Sequence, residues 1–390
     1  MFDFCVNGGG MIGSAVALGL LEQGYRVALI ETNMPKPFDS NQGPDLRVSA
    51  ISMASIQLLE KLGAWQHVMA MRARSYSGLS VWEQPSSRTD FNAADIGEKQ
   101  LGYFVENRIL QLACHQALAK HENLTWIHQG RMTQLEANQT GCQLVLSDGQ
   151  TLQSHWVIGA DGAQSMVRRL LNVGTSGWQY EQQALGITVK MTESVEDRTW
   201  QQFCPSGPRA FLPMYGQFGS VVWYDSASRI KALKSLSKTQ LHDEVVSHFP
   251  SELGQFEVVD CAAFPLTRQH ASQYVLPGAV LIGDAAHTIN PLAGQGVNLG
   301  FKDVESFLKV SESRIQFNQP NQFYATLKAD FERPRQRDNL LMMSAMDGFY
   351  QLFSNENGMV SVLRNTALRL AQQAGPIKNT VLRYATGLSK

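Results

Sequence analysis

The chain has 390 residues, 44% of them hydrophobic and 17% charged, with a formal net charge of −1. That length accommodates two or three domains with substantial cores, and the charge balance lacks the basic excess that nucleic-acid binding requires. The five cysteines (Cys5, Cys114, Cys142, Cys204 and Cys261) are scattered, with no Cys-x-x-Cys pair and no histidine cluster at ligand spacing, so a reducing compartment and no metal site are expected.

The N-terminus is apolar but carries Asp3, has no basic leader and is interrupted by Gly8-Gly9-Gly10, which argues against a signal peptide. No apolar run reaches the roughly 18 residues of a membrane span. A cytoplasmic protein is expected, in contact with a membrane only at its surface.

Residues 3–7 read as a strand, 8–13 as G-x-G-x-x-G (Gly8, Gly10, Gly13), 14–23 as a helix and 26–30 as a second strand ending at Glu31. This βαβ context makes a dinucleotide site. Gly8 makes the tight turn, Gly10 lets a pyrophosphate close on the backbone, and Gly13 lets the helix pack on the strand. Glu31 is placed to accept from ribose hydroxyls, and its charge disfavours a 2′-phosphate. Asn7 has no evident reason. No second fingerprint occurs, so a reductant is expected to bind transiently or to come from elsewhere.

Arg47 stands ahead of a helix running to about residue 62, within reach of a pyrophosphate. Strands are expected over 77–83 and 102–105, then a helix over 108–120, with Asn107 at its start as an N-cap or a cofactor contact. Strands follow over 124–128, 131–137, 142–147 and 151–158. The last leads into Gly159-Ala160-Asp161-Gly162, with Ser165 and Arg168 on one face of the next helix.

From 179 to 264 the composition turns aromatic and alternating, as in an antiparallel sheet with one buried face; 233–249 reads as an amphipathic helix. A strand at 279–282 then runs into Gly283-Asp284-Ala285-Ala286-His287, Pro291 and Gly294-Gln295-Gly296-Val297-Asn298, ahead of a helix over 297–309. A carboxylate at a strand end can hold a sugar-like hydroxyl, and glycines at a helix start expose backbone N–H groups to an electron-rich ligand. Both suit a flavin, with Asp284 on the ribityl chain and the helix start facing the isoalloxazine. A helical tail with a break at Pro334 closes the chain. Residues 357–390 hold five basic and no acidic residue, a composition compatible with an anionic membrane or a partner protein.

The Gly-Asp-Ala-Ala-His, Pro, Gly-Gln-Gly, Asn run and the Asp161-Gly162 motif resemble the FAD-dependent aromatic hydroxylases of ubiquinone synthesis. The resemblance implies an α/β fold: a Rossmann-like FAD-binding domain (1–75, 101–178, 271–325), an antiparallel substrate sheet (76–100, 179–270) and C-terminal helices (326–390). It implies cofactor contacts from Arg47, Asn107, Asp161, Arg168, Asp284, Gly294, Gly296 and Asn298, and chemistry near His287, Pro291 and Gln295. His287 would either assist proton transfer or fix the turn. It also implies FAD with NAD(P)H as external reductant, and oxygen transfer to an electron-rich ring through a flavin C4a-hydroperoxide.

Four stretches, beginning at Trp200, Gly207, Trp223 and Ala263, are most similar to the members acting late in the pathway on a monomethoxylated polyprenyl benzoquinol. Phe211, Pro213 and Trp223 are the expected substrate wall. O₂ is the co-substrate. Because a polyprenyl tail does not dissolve in water, contact with a membrane, a lipid carrier or a biosynthetic complex is expected.

Overall fold

In the computed structural model, which describes residues 1–289, 296–312, 317, 319–353 and 358–388, the chain passes repeatedly between two large sheets. The first is centred on the parallel strands Phe2–Asn7, Val27–Glu31, Leu124–His128, Thr151–Gly159 and Ala279–Leu281. Their centres (Phe4 to Val6, Val27 to Ile30, Val157 and Ile158, Val280 to Ile282) are almost wholly buried, as expected for a parallel sheet covered on both faces. The helices Met11–Glu22 and Gly296–Ser311 pack together over it. Gly300 allows the contact, because a Cβ there would lie 2.7 Å from Ile12 Cδ1.

The second sheet has eight strands, in the order His287–Thr288, Phe256–Ala271, Thr175–Met191, Phe218–Ser226, Arg209–Pro213, Arg198–Gln202, Gly78–Trp82 and Thr89–Asn92. It is antiparallel except where Arg198–Gln202 runs alongside Gly78–Trp82. Helices cover one face of it. The single helix expected over 233–249 is in fact two, Ala227–Lys234 and Lys238–His248. Ser237 starts the second, its Oγ accepting from the Gln240 N–H while the Gln240 side chain accepts from the Ser237 N–H, a capping box that the apolar periodicity conceals. A three-stranded sheet of Val48–Ser52, Gly102–Glu106 and Arg74–Tyr76 lies apart from these two.

The expected break at Pro334 does not occur. The Pro320–Thr326 helix continues through a π-helical turn, Leu327–Glu332, into Arg333–Phe353. Pro334 has no N–H to donate, and the wider turn ahead of it accommodates the ring without ending the helix. Glu332, on that turn, accepts the backbone N–H groups of Tyr274 and Val275, both at 2.7 Å.

The last two helices, Gly358–Gln373 and Gly375–Thr386, turn polar groups inward. Arg364, Asn365 and Ser361 all donate to the Glu83 carboxylate, and Lys378 and Asn379 donate to the carbonyls of Asp90 and Asp95. Their outward residues include Val362, Leu363, Leu370, Val381 and Tyr384, with Leu363 68% exposed. No described helix is long and apolar enough to cross a membrane.

Candidate active site

The glycines of the first turn serve different needs. Gly8 has φ +106°, and a Cβ there would sit 2.5 Å from the Ala160 carbonyl oxygen; one at Gly13 would meet the Gly8 oxygen at 1.8 Å. No atom lies within 4 Å of a Gly10 Cβ. Gly10 therefore borders open space at the start of the Met11–Glu22 helix, whose first N–H groups have no side-chain cap. An anion fits there. At the end of the second strand, Glu31 Oε1 accepts from the Asn33 N–H at 2.7 Å.

Asn7, unexplained by sequence, is a partner of the second motif: its Nδ2 donates to Asp161 Oδ2 at 2.9 Å, an oxygen that also accepts from the N–H groups of Met166 and Val167. Asp161 Oδ1 is buried with no partner among the described residues, an acceptor suited to a hydroxyl-bearing ligand. Arg168 is turned away from open space. Its guanidinium donates to the Ala285 carbonyl at 2.8 Å and to the Ala163 carbonyl at 2.6 Å, tying the Asp161 turn to the Asp284 turn.

Asp284 is solvent-exposed yet recessed among surrounding groups, the situation of a residue on the floor of a cleft. Desolvation raises its pKa above the usual carboxylate value; His287 and Arg47 oppose the rise, and Asp303 adds to it. The exposed Arg47 carries its Cζ 5.1 Å from the centre of the Phe264 ring, and its carbonyl accepts from the Asn107 N–H at 3.0 Å. The Asn107 side chain accepts from Ser49 Oγ. Arg72, not foreseen from sequence, fixes the segment leading to Arg47. It donates to both oxygens of buried Glu106 and to the carbonyls of Gln42 and Gly43, while Glu106 also accepts from the Asp45 N–H. The structure thus brings Arg47 against Phe264 of the second sheet, next to Asn107 and close enough to Asp284 for their charges to interact.

Beneath the Asp284 turn lies a buried carboxylate. Asp303 accepts from the Gly283 N–H at 2.9 Å, from His287 Nε2 at 2.5 Å and from Arg335 Nε at 2.8 Å. Burial alone would raise its pKa, but the charges and hydrogen bonds of His287 and Arg335 hold it down at about 2. His287 is 2% exposed, and its Nε2 is held by Asp303 beneath the turn. Asn298 is held too: it accepts from the Ser52 N–H and Ser55 Oγ and donates to the Ala50 carbonyl, anchoring the first turn of the Gly296–Ser311 helix. Gly296 stands at the start of that helix; Pro291, Gly294 and Gln295 lie outside the described residues.

The expected substrate wall needs correction. Phe211 and Trp223 pack with Leu185, Val221, Ile230, Leu241 and Phe249, on the face covered by the two helices after residue 226. Pro213, two residues beyond Phe211 on the same strand, shares that face. The opposite face presents Gly186, Ala262, Val222, Tyr224 and Phe264, paired across adjacent strands, and it looks toward Leu46 and Arg47. Both faces are rich in apolar residues, so alternation marked the strands without marking which side turns to the cleft.

These residues fit FAD, with the open turn at Gly10 for the pyrophosphate, the free Asp161 oxygen and the recessed Asp284. The family model described as "FAD binding domain" matches residues 1–309, and one described as "Squalene epoxidase" matches 233–390. The chain is 44% identical over 386 residues to the 3-demethoxyubiquinol 3-hydroxylase of Escherichia coli, covering 99% of this chain and 98% of that enzyme. It is 33% identical to ubiquinone hydroxylase UbiL of Rhodospirillum rubrum, covering 100% and 90%. The crystal structure of p-nitrophenol 4-monooxygenase PnpA from Pseudomonas putida superposes with a TM-score of 0.79 at 16% identity, covering 100% of this chain and 99% of that one, a likeness of fold. With its FAD-binding domain and its near full-length similarity to these hydroxylases, the chain belongs to the FAD-dependent monooxygenases of ubiquinone biosynthesis.

Proposed function

We propose that this protein adds a hydroxyl group to the open ring carbon of demethoxyubiquinol, a polyprenyl benzoquinol, using O₂ and NAD(P)H. The observation that carries the reading is that the cofactor turn and the sheet above it are continuous. The chain leaves Gly283-Asp284 and at once becomes an edge strand of the second sheet, pairing His287 with His270 and Thr288 with Gln269. A ring lying against Phe264 and Val222 therefore faces the group held at Asp284. The choice of substrate follows the similarity to the Escherichia coli enzyme.

FAD, when bound, supplies the activation of O₂; the protein supplies orientation, charge stabilisation and exclusion of water. Asp284 would hold the ribityl chain through its hydroxyls. The positive end of the Gly296–Ser311 helix would favour an electron-rich ring beside it, an effect of about 0.3–1 kcal/mol that rises to about 2 when partly buried. Arg47 adds a cation at the cleft edge. Asp303, Arg168 and Asn298 touch no ligand in this scheme and hold the turns that do. No side chain is assigned as general base, since an electron-rich quinol supplies its own activation.

A water-insoluble tail must be met at a lipid surface. We assign this contact to the outward apolar residues of the Gly358–Gln373 and Gly375–Thr386 helices. The deciding experiment is turnover of a short-tailed demethoxyubiquinol under ¹⁸O₂ with NAD(P)H. One labelled oxygen in the product establishes the reaction. Oxidation of the reductant with labelled hydrogen peroxide and no label in the quinol would show O₂ consumed as an oxidase and would overturn the hydroxylase reading.

A further inference from the structure

The Gly9 carbonyl, inside the phosphate turn, is approached by three donors: Ser14 Oγ at 3.0 Å, Gln111 Nε2 at 2.9 Å and His115 Nε2 at 2.7 Å. A carbonyl oxygen has two lone pairs, so this acceptor is saturated. Because it has no proton to give, His115 must carry its proton on Nε2. Gln111 and His115 are four apart on the Asn107–Leu118 helix and project from one face of it, and the His115 ring is held edge-on by Trp126 at 4.8 Å between centroids. Neither residue belongs to the glycine motif; they lie 102 and 106 residues from Gly9.

In a planar trans peptide the C=O and the following N–H point in opposite directions. Drawing the Gly9 oxygen toward the Asn107–Leu118 helix therefore turns the Gly10 N–H the other way. Gly10 is the glycine whose missing Cβ borders open space. Glycine flanked by glycine has the least intrinsic preference for one peptide orientation, so a loop of this composition needs an external constraint to present its N–H groups in a fixed direction.

We propose that Gln111 and His115 are positioning residues for the FAD pyrophosphate, acting through the Gly9–Gly10 peptide. They touch no ligand. Their side-chain N–H groups hold the peptide plane, and the peptide meets the phosphate. Each compensates for loss of the other, because either one together with Ser14 fills both lone pairs.

The test uses the full chain stripped of flavin and titrated with FAD, ADP and riboflavin. Gln111→Met with His115→Phe keeps both shapes and removes both donors. We expect this double variant to bind FAD and ADP at least tenfold more weakly, with riboflavin affinity unchanged within twofold, and to move the ³¹P resonances of bound FAD. Either single variant loses threefold or less, and His115→Gln in the Gln111→Met background restores FAD affinity to within threefold of the parent. FAD and ADP affinities within twofold of the parent in the double variant overturn the proposal. So does an equal loss for riboflavin, which would indicate general loosening of the domain. If the double variant does not fold, the Gln111→Met chain carrying His115→Gln decides: unaltered ³¹P resonances and parental affinity support the proposal, and a tenfold loss of FAD affinity overturns it.

Discussion

His287 and Asp303 meet at 2.5 Å beneath the Gly283–Asp284 turn, both buried, with Arg335 closing on the other carboxylate oxygen. Removing the carboxylate charge leaves the Arg335 guanidinium and the His287 ring N–H pointed at a neutral group. Asp303→Asn is expected to cost about 3–5 kcal/mol, the usual penalty for breaking a buried ion pair. It should also lower flavin content, because asparagine offers one acceptor oxygen where the carboxylate offers two, so either Arg335 or the Gly283 N–H and His287 pair faces an NH₂ group. Denaturant midpoints and the flavin-to-protein absorbance ratio measure the two effects; a change below about 1 kcal/mol would show that Asp303 is not the hub of this network.

The same carboxylate gives a pH dependence of stability with a definite sign. Its folded pKa, about 2, lies below the ~3.9 of an unfolded aspartate. The unfolded chain thus binds this proton first, and the stabilisation is complete above the unfolded value and lost as pH falls through the folded one. Acid unfolding of the parent should exceed that of Asp303→Asn in steepness below about pH 4. Parallel stability curves across that window would contradict the assignment.

Asp284 behaves in the opposite sense. Desolvation raises its pKa in the folded state, so its charge opposes folding of the flavin-free protein above that pKa and the opposition fades as pH falls. Asp284→Ala should bind FAD at least tenfold more weakly while the flavin-free form unfolds at the same temperature or higher. Full FAD occupancy in this variant would remove Asp284 from the cofactor site.

Phe211 and Phe264, on opposite faces of one sheet, should separate stability from turnover. Phe211→Ala opens a hole in the core beneath the two covering helices and should cost about 3–5 kcal/mol. Phe264→Ala, half-buried beside Arg47, should retain FAD and lose turnover, chiefly through KM for the quinol. Equal stability losses in the two variants would show that both faces are core.

Vesicle binding tests the tail helices. Replacing Leu363 and Leu370 by serine should abolish co-sedimentation with anionic vesicles and leave turnover of a short-tailed soluble quinol unchanged. Co-sedimentation equal to the parent would move the lipid contact elsewhere on the surface.

The parts of this fold legible in sequence are those written in consecutive residues. The glycine turn, the strand starting at Ala279 and the Asp161 turn each declare themselves within about ten positions. What stayed hidden depends on partners far apart in the chain. Asn7 is explained by Asp161, and Asp303 by Arg335, 32 residues later on a helix whose phase follows a π-helical turn. Phe211 was misplaced for another reason: alternation gives the period of a strand but not its sense when both faces carry apolar side chains.

The strand His287–Thr288 has a mechanical consequence. Since it belongs to the second sheet and follows the Asp284 turn without a linker, swinging that sheet outward would peel its own edge strand or drag the turn along. The sheet cannot act as a hinged door over the flavin. On the function proposed above, a quinol would therefore enter along the face carrying Val222 and Phe264, ring first with its tail trailing behind, and the product would withdraw along the same track.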